Sequence, residues 1–217
     1  MKYDTIKRII DIVGSSFLLV LFSPILLITS IIIKITSPGP VVVEPSNTRL
    51  KRVGRGGKLF RLFKFRSMMV KADKLLKTDP RYKKAYIERH TKGNYKIMND
   101  PRVTPIGKFI RKHSIDEMPQ LVNVLKGEMS IVGPRPYLPD ELEEQQRKYP
   151  GTEKHVKEML QVKPGITGFW QVSGRSNVNF DKRIEMDAYY ARKKSLVLDI
   201  LILLKTPWIM FSGKGAA

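Results

Sequence analysis

The chain has 217 residues, with 40 Lys and Arg against 20 Asp and Glu, for a formal net charge of +20. That length suits one domain with room for a hydrophobic core, and so basic a balance asks for an anionic partner: nucleic acid, membrane headgroups or a phosphorylated substrate. The absence of cysteine excludes disulfides, thiol catalysis and cysteine metal sites, and 3 histidines with no ligand-spaced pair argue against a transition-metal centre.

From Ile12 to Ile33 no side chain is charged, a length that suffices to enter or cross a bilayer. Ser23-Pro24 interrupts it. Pro24 removes a backbone donor and clashes with the preceding turn, so a helix should bend there, and the Ser23 hydroxyl is placed to bond a carbonyl freed by the break. Both flanks are basic, with Lys2, Lys7 and Arg8 before and Lys34 after. Positive charge favours the cytoplasmic side. Two topologies satisfy these residues: a spanning helix with a proline kink, and a helix-break-helix that enters one leaflet and returns.

Beyond the Ser37-Pro38-Gly39-Pro40 turn, Val41–Val43 and Lys58–Arg66 read as two strands of a hairpin around Gly54, Gly56 and Gly57. In an extended Lys58–Arg66 the side chains of Lys64 and Arg66 share a side, a pair of cations suited to phosphate. Lys71–Lys92 reads as a polar helix broken near Pro80, Gly107–Lys112 as a basic helix, and Leu121–Lys126 as a helix stopped by Gly127. Gly133-Pro134-Arg135-Pro136 is a rigid loop, and Glu141–Gln161 a charged helix. Lys163-Pro164-Gly165 and Thr167-Gly168 are turns, and a helix begins at Ile184–Tyr190. In the apolar stretch Leu196–Phe211, Ile200, Leu203, Leu204, Trp208 and Phe211 fall at helical spacings, either as an interfacial face with Trp208 as anchor or as core.

Chemistry concentrates at Asp116-Glu117. If Ser114 capped a helix, Glu117 would complete a capping box, but Pro119 would then sit inside that helix. A helix starting at Pro119 is the better reading, and it puts both carboxylates just before a helix N-terminus, whose dipole favours their ionised forms. One ionised carboxylate can attack phosphorus while its neighbour holds Mg²⁺ on a pyrophosphate. Arg135, fixed between two prolines, offers a planar fork to phosphate or a base edge. Arg175, after Ser173-Gly174, is a further loop cation.

In order and spacing these segments resemble the bacterial sugar transferase family, the monotopic polyprenyl-phosphate phosphoglycosyl transferases. The likeness runs through Lys7-Arg8-Ile9 with Asp11, Ser23-Pro24, Gly39-Pro40, Arg52-Val53-Gly54, Lys64-Phe65-Arg66-Ser67-Met68 and Asp100-Pro101-Arg102-Val103-Thr104. It continues through Ser114-Ile115-Asp116-Glu117-Met118-Pro119-Gln120-Leu121, Asn123-Val124-Leu125-Lys126-Gly127-Glu128-Met129-Ser130, Val132-Gly133-Pro134-Arg135-Pro136 and Pro164-Gly165-Ile166-Thr167-Gly168. Gln171-Val172, Asp187 with Tyr189-Tyr190, and Ser195-Leu196 with Asp199 complete it. The sequence departs from the family pattern at Glu44-Pro45-Ser46-Asn47-Thr48, a longer link between Pro40 and Arg52.

The resemblance implies a mainly α fold with a small β-hairpin (an α+β class), a re-entrant membrane hairpin over 1–36 broken at Ser23 and Pro24, and a catalytic domain over 37–217 with interfacial C-terminal helices at the cytoplasmic face of the bacterial inner membrane. It implies two-step transfer of a sugar phosphate from a UDP-sugar to polyprenyl phosphate. Asp116 would be the nucleophile, Glu117 a catalytic residue and Mg²⁺ ligand, and Lys64, Arg66, Arg111, Arg135 and Arg175 the phosphate and nucleotide contacts. Anionic lipid is an expected partner and nucleic acid is not. The competing readings, a nucleic-acid-binding membrane protein and a non-enzymatic scaffold on anionic lipid, explain the charge but give no role to Asp116 and Arg135.

Overall fold

A computed structural model describes residues 2–43, 51–70, 72–83, 87, 100–173 and 178–212; the Glu44–Thr48 link and Arg175 lie outside these residues. The fold is mainly helical with small sheets, an α+β arrangement. Helix α1 (Tyr3–Leu21) meets α2 (Ser23–Thr36) at a bend of 59°. The cause is local, as the sequence predicts. Pro24 occupies the first turn of α2, where its missing donor is harmless to α2, and the Ser23 hydroxyl donates to the Val20 carbonyl at 2.8 Å. Among the described residues no single helix is long and apolar enough to cross a membrane; this bent pair meets that test only jointly.

The pair has its polarity reversed. Asp11, Ser15 and Thr29 are buried, whereas Val13, Phe17, Val20, Leu27, Ile28 and Ile31 point outward. The buried polar groups fasten α1 to the rest of the molecule. The Asp11 carboxylate accepts from the Ser130 hydroxyl and the Ile131 N–H, both at 3.0 Å. Asp199 accepts from the hydroxyls of Tyr3 (2.9 Å) and Tyr190 (2.7 Å), and Lys7 reaches both carboxylates.

A hairpin is present, but its strands are β1 (Lys51–Val53) and β2 (Leu59–Arg61), antiparallel with Val53 opposite Leu59. The predicted Val41–Val43 strand reduces to one bridge, Val42 to Phe65. Lys58–Arg66 is not continuous either, because side-chain bonds from Asn123 replace the ladder after Arg61. Next come α3 (Ala72–Thr78), a 3₁₀ turn at Pro80–Tyr82, α4 (Pro105–Lys112), a 3₁₀ turn at Ile115–Glu117, and α5 (Gln120–Lys126). Gly127, at φ 79°, ends α5 as predicted.

Two predicted elements differ. The charged helix expected over Glu141–Gln161 is split into α6 (Pro139–Lys148) and α7 (Glu153–Met159), because Pro150 cannot donate and Gly151 turns at φ 89°. The turns expected around Ile166 are instead a strand. β3 (Ser130–Val132) pairs in parallel with β4 (Gly165–Thr167). The approach is close enough that a Cβ on Gly165 would lie 2.0 Å from the Gly133 nitrogen. The chain closes with α8 (Phe169–Ser173), α9 (Phe180–Lys193) and α10 (Leu196–Ser212).

The central core joins Phe60, Leu62, Val124, Met129, Ile131, Val132, Tyr190 and Ile202; a second core under α6, α7 and α9 joins Tyr137, Leu142, Val156, Phe180 and Ile184. On α10, Ile202 enters the core, while Val197, Ile200, Leu201, Leu204 and Trp208 (79 % exposed) face outward. Of the two readings of that spacing, Ile200, Leu204 and Trp208 follow the outward one.

Candidate active site

Asp116 is brought to the centre of the molecule by the chain on either side of it. Before it, Ser114 adopts a left-handed conformation (φ 56°) and makes no cap bond, so the capping box is absent. That φ is uncommon for a non-glycine residue, and it turns the chain sharply after α4. After it, Pro119 leads into α5, which starts one residue later than predicted. The Asp116 carbonyl accepts from the Phe65 N–H at 3.0 Å.

Lys64 is aligned by a neighbour that the sequence reading overlooked. Asn123, fully buried on α5, accepts from the Phe63 N–H (2.9 Å) and donates to the Arg61 carbonyl and the Glu128 carboxylate (2.7 Å each). This clamp holds Arg61–Phe63 in place, and Lys64 then bridges both carboxylates, at 2.8 Å from Asp116 and 3.2 Å from Glu117. Asp116 is only 2 % exposed, whereas the Glu117 side chain keeps 39 %.

Burial pushes the Asp116 carboxyl above the usual range; Lys64 opposes the rise, the adjacent Glu117 adds to it, and the Arg111 charge opposes it more weakly. Desolvation therefore outweighs the helix-dipole effect expected at this position. At Lys64 burial favours the neutral amine, but the Glu117 and Asp116 charges prevail and hold the ammonium above its usual pKa. The arrangement is a buried carboxylate with one dedicated cation, next to a partly exposed carboxylate. Oxygen donors of this kind, half open, fit Mg²⁺, which keeps water and phosphate ligands beside one or two carboxylates. Among the described residues no group of three or more His, Asp or Glu is placed to hold a metal, so Mg²⁺ at Glu117 would share its coordination with substrate oxygens.

A second group of side chains lies around the Gly133–Pro136 loop. Parallel pairing of β3 and β4 fixes that loop, with the Gly165 N–H donating to the Pro134 carbonyl at 2.8 Å. The Arg135 N–H donates to Asp187 at 3.3 Å, and its guanidinium lies 4.0 Å from Glu141. That guanidinium sits 5.4 Å from the Trp170 ring centre and 5.8 Å from that of Tyr137; Arg183 covers the same two rings at 5.7 and 6.0 Å. Among the described residues, three buried nitrogens here have no hydrogen-bond partner, Arg135 Nε, Arg183 Nε and Trp170 Nε1, while the Tyr137 hydroxyl acts on the Asp187 carboxyl. Buried polar groups are rarely left unpaired, so these atoms have donor capacity that water or a polar ligand can use. Burial raises Asp187 to about 8, against the pull of the Arg135 N–H and of the Arg183 and Arg135 charges. The two groups communicate, since the Glu117 charge raises the Arg135 pKa.

The predicted residues therefore divide. Lys64, Asp116 and Glu117 come together, Arg111 acts on them through its charge, and Arg135 belongs to the adjoining cluster. Arg66 goes elsewhere. Its guanidinium, 7 % exposed, donates to the carbonyls of Ser37 (2.7 Å) and Ile33 (3.4 Å) at the end of α2. Lys64 and Arg66 flank the Phe65–Val42 bridge, but the Arg66 guanidinium is taken up by the end of α2 and does not join Lys64 at the carboxylates.

The profile of the family described as "Bacterial sugar transferase" matches residues 2–213. The chain belongs to the bacterial sugar transferase family. Its relatives in that family include the undecaprenyl-phosphate galactose phosphotransferase of Salmonella typhimurium, 43 % identical over 97 % of this chain and 41 % of that protein. The exopolysaccharide production protein ExoY of Rhizobium meliloti is 39 % identical over 92 % of this chain and 83 % of its own length. The UDP-glucose:undecaprenyl-phosphate glucose-1-phosphate transferase of Klebsiella pneumoniae is 40 % identical over 97 % of this chain and 41 % of that protein. The chain spans about two fifths of the length of the first relatives it matches. Asn123, Trp170 and Arg183 were not singled out from sequence. Asn123 opens the family-like segment Asn123–Ser130, and a polar residue flanked by Val122 and Val124 on a short helix is the signal that the sequence carries.

Proposed function

We propose that this sugar transferase moves a sugar 1-phosphate from a UDP-sugar to polyprenyl phosphate, by way of a covalent intermediate on Asp116. The observation that carries the reading is the buried Asp116 carboxylate bridged to Lys64 beside the half-open Glu117. In the first step an Asp116 oxygen attacks the β-phosphorus, the bond from that phosphorus to the bridging oxygen breaks, and UMP leaves with the electron pair. In the second step an oxygen of polyprenyl phosphate attacks the same phosphorus, and the Asp116 carboxylate departs unchanged. Lys64 favours the ionised form of Asp116 against the effect of its burial. Mg²⁺ at Glu117 would supply charge neutralisation on the pyrophosphate. Arg135 and Arg183, with Trp170 and Tyr137 beneath them, offer donors and stacking surface to the nucleotide portion.

A lipid acceptor needs an enzyme at the membrane. The reversed polarity of α1 and α2 and the outward apolar face of α10 support a re-entrant pair and an interfacial helix on the cytoplasmic face. Anionic lipid would be drawn to the basic surface by about 1 kcal/mol per Lys or Arg near the headgroups.

The test is UMP release from a panel of UDP-sugars, with Mg²⁺ and polyprenyl phosphate, by lipid-reconstituted wild type and Asp116→Asn. UMP from wild type only, with a mass increase on Asp116 when acceptor is withheld, is the expected result. Equal UMP release by both proteins would remove Asp116 from the mechanism.

A further inference from the structure

Away from Asp116, five basic side chains line one cavity of about 90 Å³: Lys7, Arg8, Arg55, Lys163 and Lys194. Its walls are the start of α1, the β1–β2 turn, the α7–β4 link and β3. Neither Lys64, Asp116, Glu117 nor Arg135 borders it. Two of the five cations have carboxylate partners. Lys7 is bonded to Asp11 (3.5 Å) and Asp199 (3.3 Å), and Lys194 to Asp4 (2.9 Å). The other three have none. Arg8 donates to the carbonyls of Val124 (2.6 Å) and Leu125 (2.7 Å), the last turn of α5. That pair of bonds fixes its position, so it cannot swing away from its neighbours. Among the described residues, the Arg55 and Lys163 side chains have no hydrogen-bond or ion-pair partner.

The unpartnered charges converge. Arg8 Nη2 and Lys163 Nζ both lie 3.5 Å from the point where a Cβ on Gly127 would stand. Burial, followed by repulsion from Arg8, lowers the Lys163 ammonium pKa; Asp11 opposes the fall, Arg55 adds to it and Asp4 opposes it more weakly. Asp4 and Asp11 also line the cavity but are bonded to Lys194 and Lys7, so five cations face two carboxylates and the excess positive charge favours a bound anion. The cavity volume corresponds to about three waters of liquid volume, enough for one tetrahedral oxyanion. The Tyr3 hydroxyl and Gln161 supply further polar wall.

We propose that this cavity is a second anion site, taking a phosphate group between Arg8, Arg55 and Lys163. The phosphate has two sources. Directly beyond Arg8 on α1, Ile9, Ile10, Ile12 and Val13 face outward, so a phosphodiester headgroup at the membrane edge reaches the cavity, and free phosphate reaches it from solution.

The test uses the full chain in nanodiscs of zwitterionic lipid and titration calorimetry with two probes, inorganic phosphate and monomeric dihexanoyl phosphatidylglycerol. Wild type is expected to bind one more equivalent of at least one probe than R55Q/K163Q, and the charge-keeping R55K/K163R to retain that equivalent. A difference seen only with the lipid assigns the site to a headgroup, and one seen only with inorganic phosphate assigns it to a solute. Comparing proteins that share an intact Asp116 site subtracts any binding there, so the result is independent of the proposed reaction. Should R55Q/K163Q fail to fold, K163Q alone is expected to weaken the extra equivalent by at least about tenfold, as loss of one charge-assisted contact requires. Identical stoichiometry and affinity for both probes in wild type and the glutamine variants would overturn the proposal.

Discussion

Lys64→Met tests the electrostatics of the site most directly. The Asp116 carboxylate is 2 % exposed and rests on one ammonium at 2.8 Å. Removing one partner of a buried ion pair costs about 3–5 kcal/mol, because the remaining charge is left uncompensated. The carboxyl has an escape that caps this cost, which is to take up a proton. Its folded pKa is already raised, and loss of Lys64 raises it further. A carboxyl whose folded pKa exceeds its unfolded value contributes stability below the unfolded value and loses it as pH rises through the folded one. Urea denaturation should therefore show Lys64→Met close to wild type at an acid pH and weaker at a higher pH, by an amount approaching the full cost. Asp116→Asn in the same background removes the uncompensated charge and should recover most of the loss. In the UMP-release assay the acid limb of the rate profile should move to higher pH, because each unit of pKa costs a tenfold fraction of ionised nucleophile. If the Lys64→Met deficit were the same at both pH values, or Asp116→Asn failed to rescue it, the charge-pair account would be wrong.

Asp187, raised to about 8, makes folding stability fall as pH rises from the unfolded carboxyl value of about 3.9 towards 8; Asp187→Asn should flatten that fall in thermal melts at successive pH values. Asn123→Ala leaves the Phe63 N–H and the Arg61 carbonyl without partners and should cost about 2–4 kcal/mol in a urea midpoint analysis, with KM for the UDP-sugar rising as Lys64 loses its alignment. Pro24→Ala restores a donor at the break and should straighten the α1–α2 pair. In vesicles, labelling of a cysteine placed at Met1 would then move from one side of the membrane to the other, whereas unchanged labelling would argue against a break-dependent re-entrant topology.

What could be read from the sequence was what neighbouring residues decide by themselves. Proline at position 24 removes a donor wherever it sits in a helix, so the bend was visible. Gly127 ends α5 because its own φ of 79° suits glycine. The carboxylates before α5 were visible because Pro119 disfavours any earlier helix start. The missed features depend on partners distant in the chain. β3 and β4 have three residues each and no alternation, so nothing local distinguishes them from turns; pairing across the Gly133–Gly165 contact makes them strands. Arg66 reads as a companion to Lys64 by alternation, yet the Ser37 and Ile33 carbonyls, distant in the chain, hold its guanidinium at the end of α2. The Arg135–Arg183 stack joins residues from separate helices and loops, and no spacing encodes it.

The net charge of +20 is also better understood as a distribution than as a sum. Lys64 is committed to two carboxylates, Arg66 to helix carbonyls, and Lys7 to Asp11 and Asp199. These cations hold the fold together and are not a general field for anions. Cations offered to ligands lie elsewhere: Arg135 and Arg183 over their two rings, and Arg8, Arg55 and Lys163 at the foot of α1. Under the proposed reaction the first pair faces the nucleotide. The second group lies where the apolar turns of α1 begin, so its phosphate would report on the membrane and not on the donor. Salt should accordingly weaken the exposed sites first and leave the half-buried Arg135 cluster until last, since screening acts least on desolvated charges.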